Sequence, residues 1–362
     1  MENSKRHFRR FLLIFFIVLT ICGSFVIITD PFYQYHAPWF GMPIVLEDAV
    51  YQTPGAAKNL EYTDVIMGTS MTENFHTNWF DEELGWDTIK LSYSGARSND
   101  LKAVLTAIFS RQEPVEHIVM DINDYQLTVS SWTAYVVRPD YLYDNCVLND
   151  YKYIYNHSVI SKGWERVLDA MQGVQDNIDT AYTWEDSKLF GKEITLSTAR
   201  ELREQLLQSP SVENPQKLEE RLVICQENLD NILPFMEQNP ETEFIIFFPP
   251  YSILYWEQEV LENDLYDKLE IYKYAMEQFL QYDNVSVYYF QNEKDIITNL
   301  DNYRDSGHHR PEYNRYIFEA IKDGKKKVTK ENVEQMIADM YEFAANYDYD
   351  AVWDETGGRK KE

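Results

Sequence analysis

Apolar positions along this chain follow three patterns. The first is a run without a single charge over residues 11–28, apolar on every side from Phe11 through Val18 and again at Phe25, Val26 and Ile27. A helix over it, at ~1.5 Å per residue, spans ~27 Å, close to the hydrocarbon core of a bilayer. The second is a series of short apolar runs of strand length, at 65–67, 88–93, 117–122, 244–248 and 285–290. The third is helical spacing. Leu101, Val104, Leu105 and Ile108 share one face, 218–236 and 265–280 repeat that period, and 197–207 carries further helical signals. Near the end, Thr329 can cap a helix striped by Val333, Met336, Ile337, Met340 and Tyr341. Strands alternating with helices predict an α/β fold, a three-layer α/β/α arrangement around a parallel sheet. In such sheets, functional residues gather at the carboxyl ends of the strands.

The same patterns divide the chain. Lys5, Arg6, Arg9 and Arg10 precede the apolar run, which makes 1–10 a cytoplasmic basic segment and 11–29 a transmembrane anchor. Everything beyond is then expected outside the cytoplasm, on a single-pass protein of the cell membrane. Length and the lack of a small-residue cleavage site favour an anchor over a removed signal peptide. An aromatic and proline-rich membrane-proximal segment (30–60) follows, with Tyr33, Tyr35 and Trp39 either at the headgroups or packed on the body. A soluble domain over 61–347 contains a helical insertion at about 125–239, and 348–362 reads as a loose tail. The insertion's Tyr and Trp residues, Trp164 and Trp184 among them, form either a lid or sugar-stacking wall or the small core of a helical subdomain.

Net charge is -27, which repels phosphate backbones and excludes nucleic acid as a partner. The three cysteines, Cys22, Cys146 and Cys225, form no CxxC pair, so free thiols are expected. Neither a G-x-G-x-x-G run nor a P-loop occurs, and no cofactor is expected.

Ser70 closes the run Asp64-Val65-Ile66-Met67-Gly68-Thr69-Ser70, a strand ending in a small-residue turn. Residues 71–75 can open a helix, which would set Ser70 beside unpaired N–H groups. A serine hydroxyl needs a base, and Asp305-Ser306-Gly307-His308 offers His308 as base with Asp305 to orient it. The N–H groups of Ser70 and Gly95 and the side chain of Asn123 are candidate donors to an oxyanion. Asp305, His308 and His309 lack a second cluster of ligands, so no metal is expected. Glu73 and Asn74 read as solvated helix positions.

The order Gly68-Thr69-Ser70, Gly95, Asn123-Asp124 and Asp305-x-x-His308 resembles the SGNH hydrolase superfamily over about 60–320. That resemblance implies Ser70, His308 and Asp305 as catalytic residues and Ser70, Gly95 and Asn123 as the oxyanion hole. Two positions depart from the usual pattern, Thr69 where Gly-Asp-Ser is common and Asp121 where Gly-x-Asn-Asp is common. With a membrane anchor, the chain is similar to the cell-envelope branch of teichoic-acid D-alanylation and alginate O-acetylation proteins. The similarity implies acyl transfer on a cell-envelope polymer beside a multipass membrane O-acyltransferase. A noncatalytic scaffold for that transferase and a carbohydrate esterase are the alternative expectations.

Overall fold

The computed structural model describes residues 2–131, 137–144, 146–209 and 217–354. The five apolar runs are strands β1 (Asp64–Gly68), β2 (Thr88–Ser92), β3 (His117–Asp121), β4 (Glu243–Phe248) and β5 (Val285–Tyr289). A sixth, β6 (Lys327–Val328), completes one sheet in the order β2-β1-β3-β4-β5-β6. The first five are parallel, and β6 runs antiparallel to β5. This edge strand departs from the all-parallel expectation, because two residues are too few to show an alternation.

Both faces of the sheet are covered. On β1, Val65 and Met67 enter one apolar cluster and Ile66 the other. On β4, Phe244, Ile246 and Phe248 face one way, Ile245 and Phe247 the other. Strands buried on both faces read as continuous apolar runs, which is how these appear in the sequence. Helices Ser98–Ile108, Leu218–Leu229, Leu265–Phe279 and Val333–Ala345 supply the larger cluster; Thr77–Leu84 and Pro311–Lys322 supply the smaller. The single helix expected over 218–236 is two, the second starting at Leu233 with Pro234 in its first turn. A proline has no N–H for the preceding helix to use, and its ring favours a fresh start.

The N-terminal helix runs from Glu2 to Thr29, and 4–29 is long and apolar enough to cross a membrane. Its final turns are part of the body. Val26 is fully buried, Gly23 meets Ile154 and Tyr155, and the Phe25 ring lies 4.7 Å from that of Trp164. Asp30 then turns the chain, its carboxylate accepting the N–H groups of Gln34, Tyr35 and His36 and the hydroxyl of Tyr153. Of the aromatic residues in this segment, Tyr33 is buried while Trp39 and Phe40 are exposed. Within the stretch expected as a tail, Tyr349–Asp354 is a helix docked through Val352 and Trp353, whose indole donates to Glu257. The three cysteines are free thiols.

The strand order reverses direction at β1 and β3, so their carboxyl ends flank a crevice. Ser70 follows β1 and Asn123 follows β3.

Candidate active site

Ser70 sits on a turn, not at a helix start as expected. The next helix begins at Thr77. Thr72 bonds back to the Thr69 carbonyl through both its N–H and its hydroxyl. Lys90 is fully buried on β2, and its Nζ donates to the carbonyls of Glu73 (2.7 Å) and Phe75 (2.5 Å). Those carbonyls would be helix acceptors, and here a side chain takes them. Burial pushes the Lys90 pKa down to about 7.

His308 reaches this turn from the far end of the sequence. Ser70 Oγ lies 2.8 Å from His308 Nε2. On the other side of the ring, Nδ1 lies 2.8 Å from Asp305 Oδ2 and 3.0 Å from Oδ1. A carboxylate only accepts, so Nδ1 carries the proton and Nε2 accepts from the Ser70 hydroxyl. Asp305 also accepts the N–H groups of Gly307 and His308, which makes its loop a self-closed turn. Burial alone would raise its pKa, but the His308 ring and these donors outweigh burial and hold it at about 2. The adjacent His309 is buried, touches neither Ser70 nor Asp305, and is lowered to about 4 by burial.

The expected donors converge on the same cleft, lined by Ser70, Gly95, Asn123 and His308. Among the described residues, the N–H groups of Ser70 and Gly95 donate to no protein group. Gly95 has a φ of 70°, a left-handed conformation that glycine adopts without strain. Asn123 is differently placed. Its Nδ2 lies 3.2 Å from Thr69 Oγ1 and 3.3 Å from Asp121 Oδ2, so the amide donates inward, and Oδ1 is buried without a partner.

Thr69 and Asp121 meet each other beneath the serine turn. Thr69 donates to Asp121 twice, through N–H to Oδ1 (2.6 Å) and through Oγ1 to Oδ2 (2.7 Å). A Cβ at Gly68 would fall 1.9 Å from Asp121 Oδ1, so only glycine leaves room for this carboxyl group. A carboxyl group carried by β3 thus lies directly beneath the serine turn. Complete burial raises its pKa to about 6 despite the Thr69 and Asn123 donors.

Within the insertion, the segment 176–190 straps the site, so Trp184 serves neither as part of a separate small core nor on the far side of the molecule; which residues it would hold was not readable in the sequence. Trp184 donates from Nε1 to Glu73 Oε2 (2.8 Å) and from its backbone to Asn74 Oδ1 (2.9 Å). Its ring is nearly perpendicular to that of His308, 5.6 Å between centroids, and the Arg304 guanidinium lies 5.2 Å from its centroid. His76 bridges Asp179 and Glu185 of the same segment. Glu73 and Asn74 are therefore buried anchors and not solvated positions. A polar residue three or four places after Ser70 gives no sign of its partner when that partner lies over a hundred residues away.

The cleft measures about 550 Å³, and Tyr251, Tyr255, Gln258, Glu259 and Lys268 line it together with Ser70. Lys268 bonds Asp124 at 2.7 Å and lies 3.6 Å from Glu259. Glu259 Oε2 is buried with no partner, and burial pushes its pKa up to about 8 against the pull of Lys268.

No family model and no curated protein matches this chain.

Proposed function

We propose that this protein is a membrane-anchored serine acyl-transfer protein of SGNH type, with a three-layer α/β/α body outside the cytoplasm. Its substrates are a small acyl ester and a hydroxyl of a cell-envelope polymer. The observation that carries this reading is the continuous contact Ser70 Oγ–His308 Nε2–Asp305, at 2.8 Å and 2.8 Å, in a cleft holding two undonated N–H groups.

The chemistry follows from the hydrogen positions. Ser70 Oγ attacks the acyl carbonyl carbon as its proton passes to His308 Nε2. Asp305 stabilises the imidazolium that forms. The carbonyl oxygen becomes an oxyanion beside the N–H groups of Ser70 and Gly95. Collapse breaks the bond to the leaving alkoxide, which takes the His308 proton, and the acyl group stays as an ester on Ser70. An acceptor hydroxyl then gives its proton to His308 and attacks that ester, and His308 passes the proton to the departing Ser70 Oγ. The lining of the cleft supports a hydroxyl-rich acceptor. Tyr251 and Tyr255 bring aromatic surface to it, and Glu259 and Gln258 bring hydrogen-bonding groups. A multipass membrane O-acyltransferase is the donor this reading calls for.

The test is fluorophosphonate labelling of the full chain in detergent micelles, read by peptide mass spectrometry. The expected result is phosphonylation at Ser70, lost in Ser70→Ala and slowed at least ~10³-fold in His308→Ala. No label on folded wild-type protein would overturn the reading and favour a noncatalytic scaffold.

A further inference from the structure

We infer that the body is seated in the membrane by a foot of its own, built on helix His157–Gln172 and the turn at 36–40. The inference rests on the N-terminal helix spanning a bilayer, and it begins with length. From Phe11, where charge ends, to Cys22, just before the body closes on Gly23, the free helix covers 12 residues. That is ~18 Å at ~1.5 Å per residue, against ~30 Å of hydrocarbon. Snorkelling of Arg9 and Arg10 recovers only a few Å of the difference. The remaining depth falls on residues 22–29, which carry the body with them into the leaflet.

What surrounds those turns has the surface for it. Tyr155, at Gly23, is 46% exposed, and Trp164, against Phe25, is 57% exposed. Leu168 and Met171 continue the Trp164 stripe at helical spacing and are exposed as well. The four charged residues of this helix are ion-paired, Lys162 with Glu47 and Glu165, and Arg166 with Glu47 and Asp169. Glu165, half exposed beside Trp164, sets that edge of the helix at the headgroups and not deeper. A second element is tied to the same depth: His36 Nε2 lies 2.7 Å from the Ile27 carbonyl, and its ring stacks on Trp39 at 3.6 Å. Phe40 follows, 85% exposed. Aromatic side chains at the headgroup level and an amphipathic helix in the interface plane are established ways of holding a protein on a bilayer. The occupant of this surface is lipid, because the surface is continuous with the exposed side of the spanning helix.

The test uses the full chain in lipid nanodiscs. Cys22→Ser and Cys146→Ser remove the accessible thiols, and the fully buried Cys225 stays. Single cysteines placed by Phe40→Cys, Trp164→Cys or Leu168→Cys carry nitroxide labels, with Phe15→Cys in the free helix and Val223→Cys on the body as references. The readout is relaxation by oxygen, which partitions into lipid, against a water-soluble nickel chelate. The expected result is an oxygen-to-nickel ratio at 40, 164 and 168 well above that at 223 and approaching that at 15, as for groups at the boundary of headgroups and acyl chains. Ratios matching 223 while 15 reads lipid would overturn the foot and leave the span intact. Labels shielded from both reagents would overturn it in favour of a protein partner or a second copy. A water-like ratio at 15 would remove the span and the foot together. Should Trp164→Cys fail to fold, positions 40 and 168 decide alone.

Discussion

Two carboxyl groups within reach of one serine turn are pushed in opposite directions, and each predicts its own pH behaviour. Asp305 is held at about 2, below its ordinary value of 3.8. A depressed acid stabilises the fold above its unfolded pKa, and that contribution is lost as pH falls from about 4 toward 2. In urea titrations, Asp305→Asn should lack this part of the acid loss. Its Ser70 labelling should also slow by ~10³–10⁴-fold at neutral pH, because an amide at this position favours the wrong His308 tautomer. Labelling at the wild-type rate would show that Asp305 does not orient the ring. Asp121 is raised to about 6, so the folded state holds its proton longer than the unfolded state does. Wild-type stability from this group is present below pH 4 and declines as pH rises through 6. Relative to wild type, Asp121→Asn should therefore gain up to about 3 kcal/mol between pH 4 and pH 7. A stability difference that is flat over that range would mean Asp121 ionises as an ordinary carboxylate.

At the scale of elements, the sequence shows what repeats and hides what is held at a distance. The five parallel strands were legible because burial on both faces leaves uninterrupted apolar runs, as at 244–248. Ser70, Gly95, Asn123, Asp305 and His308 were legible because each ends a strand or sits in a short polar loop, and the structure brings all five to one cleft. The Ser70 turn was misread as a helix because local spacing cannot show that Lys90, on β2, takes the carbonyls of Glu73 and Phe75. The partners of Trp184, Glu73 and Asn74, were hidden for the same reason. Lys90→Met tests how far the turn depends on this clamp. Two buried carbonyls lose their donor, at ~1–3 kcal/mol each before relaxation, so the variant should unfold at lower urea and label more slowly at Ser70. The sign of the pH effect is also set. With the folded pKa near 7 and the unfolded value near 10.5, the unfolded chain binds more protons in between. Wild-type stability should then rise with pH from 7 to 10, and Lys90→Met should lack that rise. Unchanged stability and labelling would show that the turn holds without Lys90.

For the whole molecule, the boundary between anchor and body does not fall where the apolar run ends. A cut at residue 30 looks natural in the sequence, since it follows the last residue of a membrane-length helix. In the fold, that cut removes Val26 from a cluster that also holds Phe32, Leu142, Tyr153 and Val159, and uncovers the contacts of Gly23, Phe25 and Thr29 with the body. Burying one valine and half of a phenylalanine is worth roughly 2–4 kcal/mol. A chain starting at Asp30 should therefore unfold earlier in urea, by about that amount, than one starting at Cys22. Much of the loss should concentrate in 151–172, where amide hydrogen exchange would show it as lost protection. Equal stability of the two chains would mean that the last turns of the helix only rest on the body. If the expected gap is found, a serine that labels poorly in an ectodomain cut at 30 says nothing against the site. The cluster being opened lies one helix away from the strap that holds Trp184 against His308.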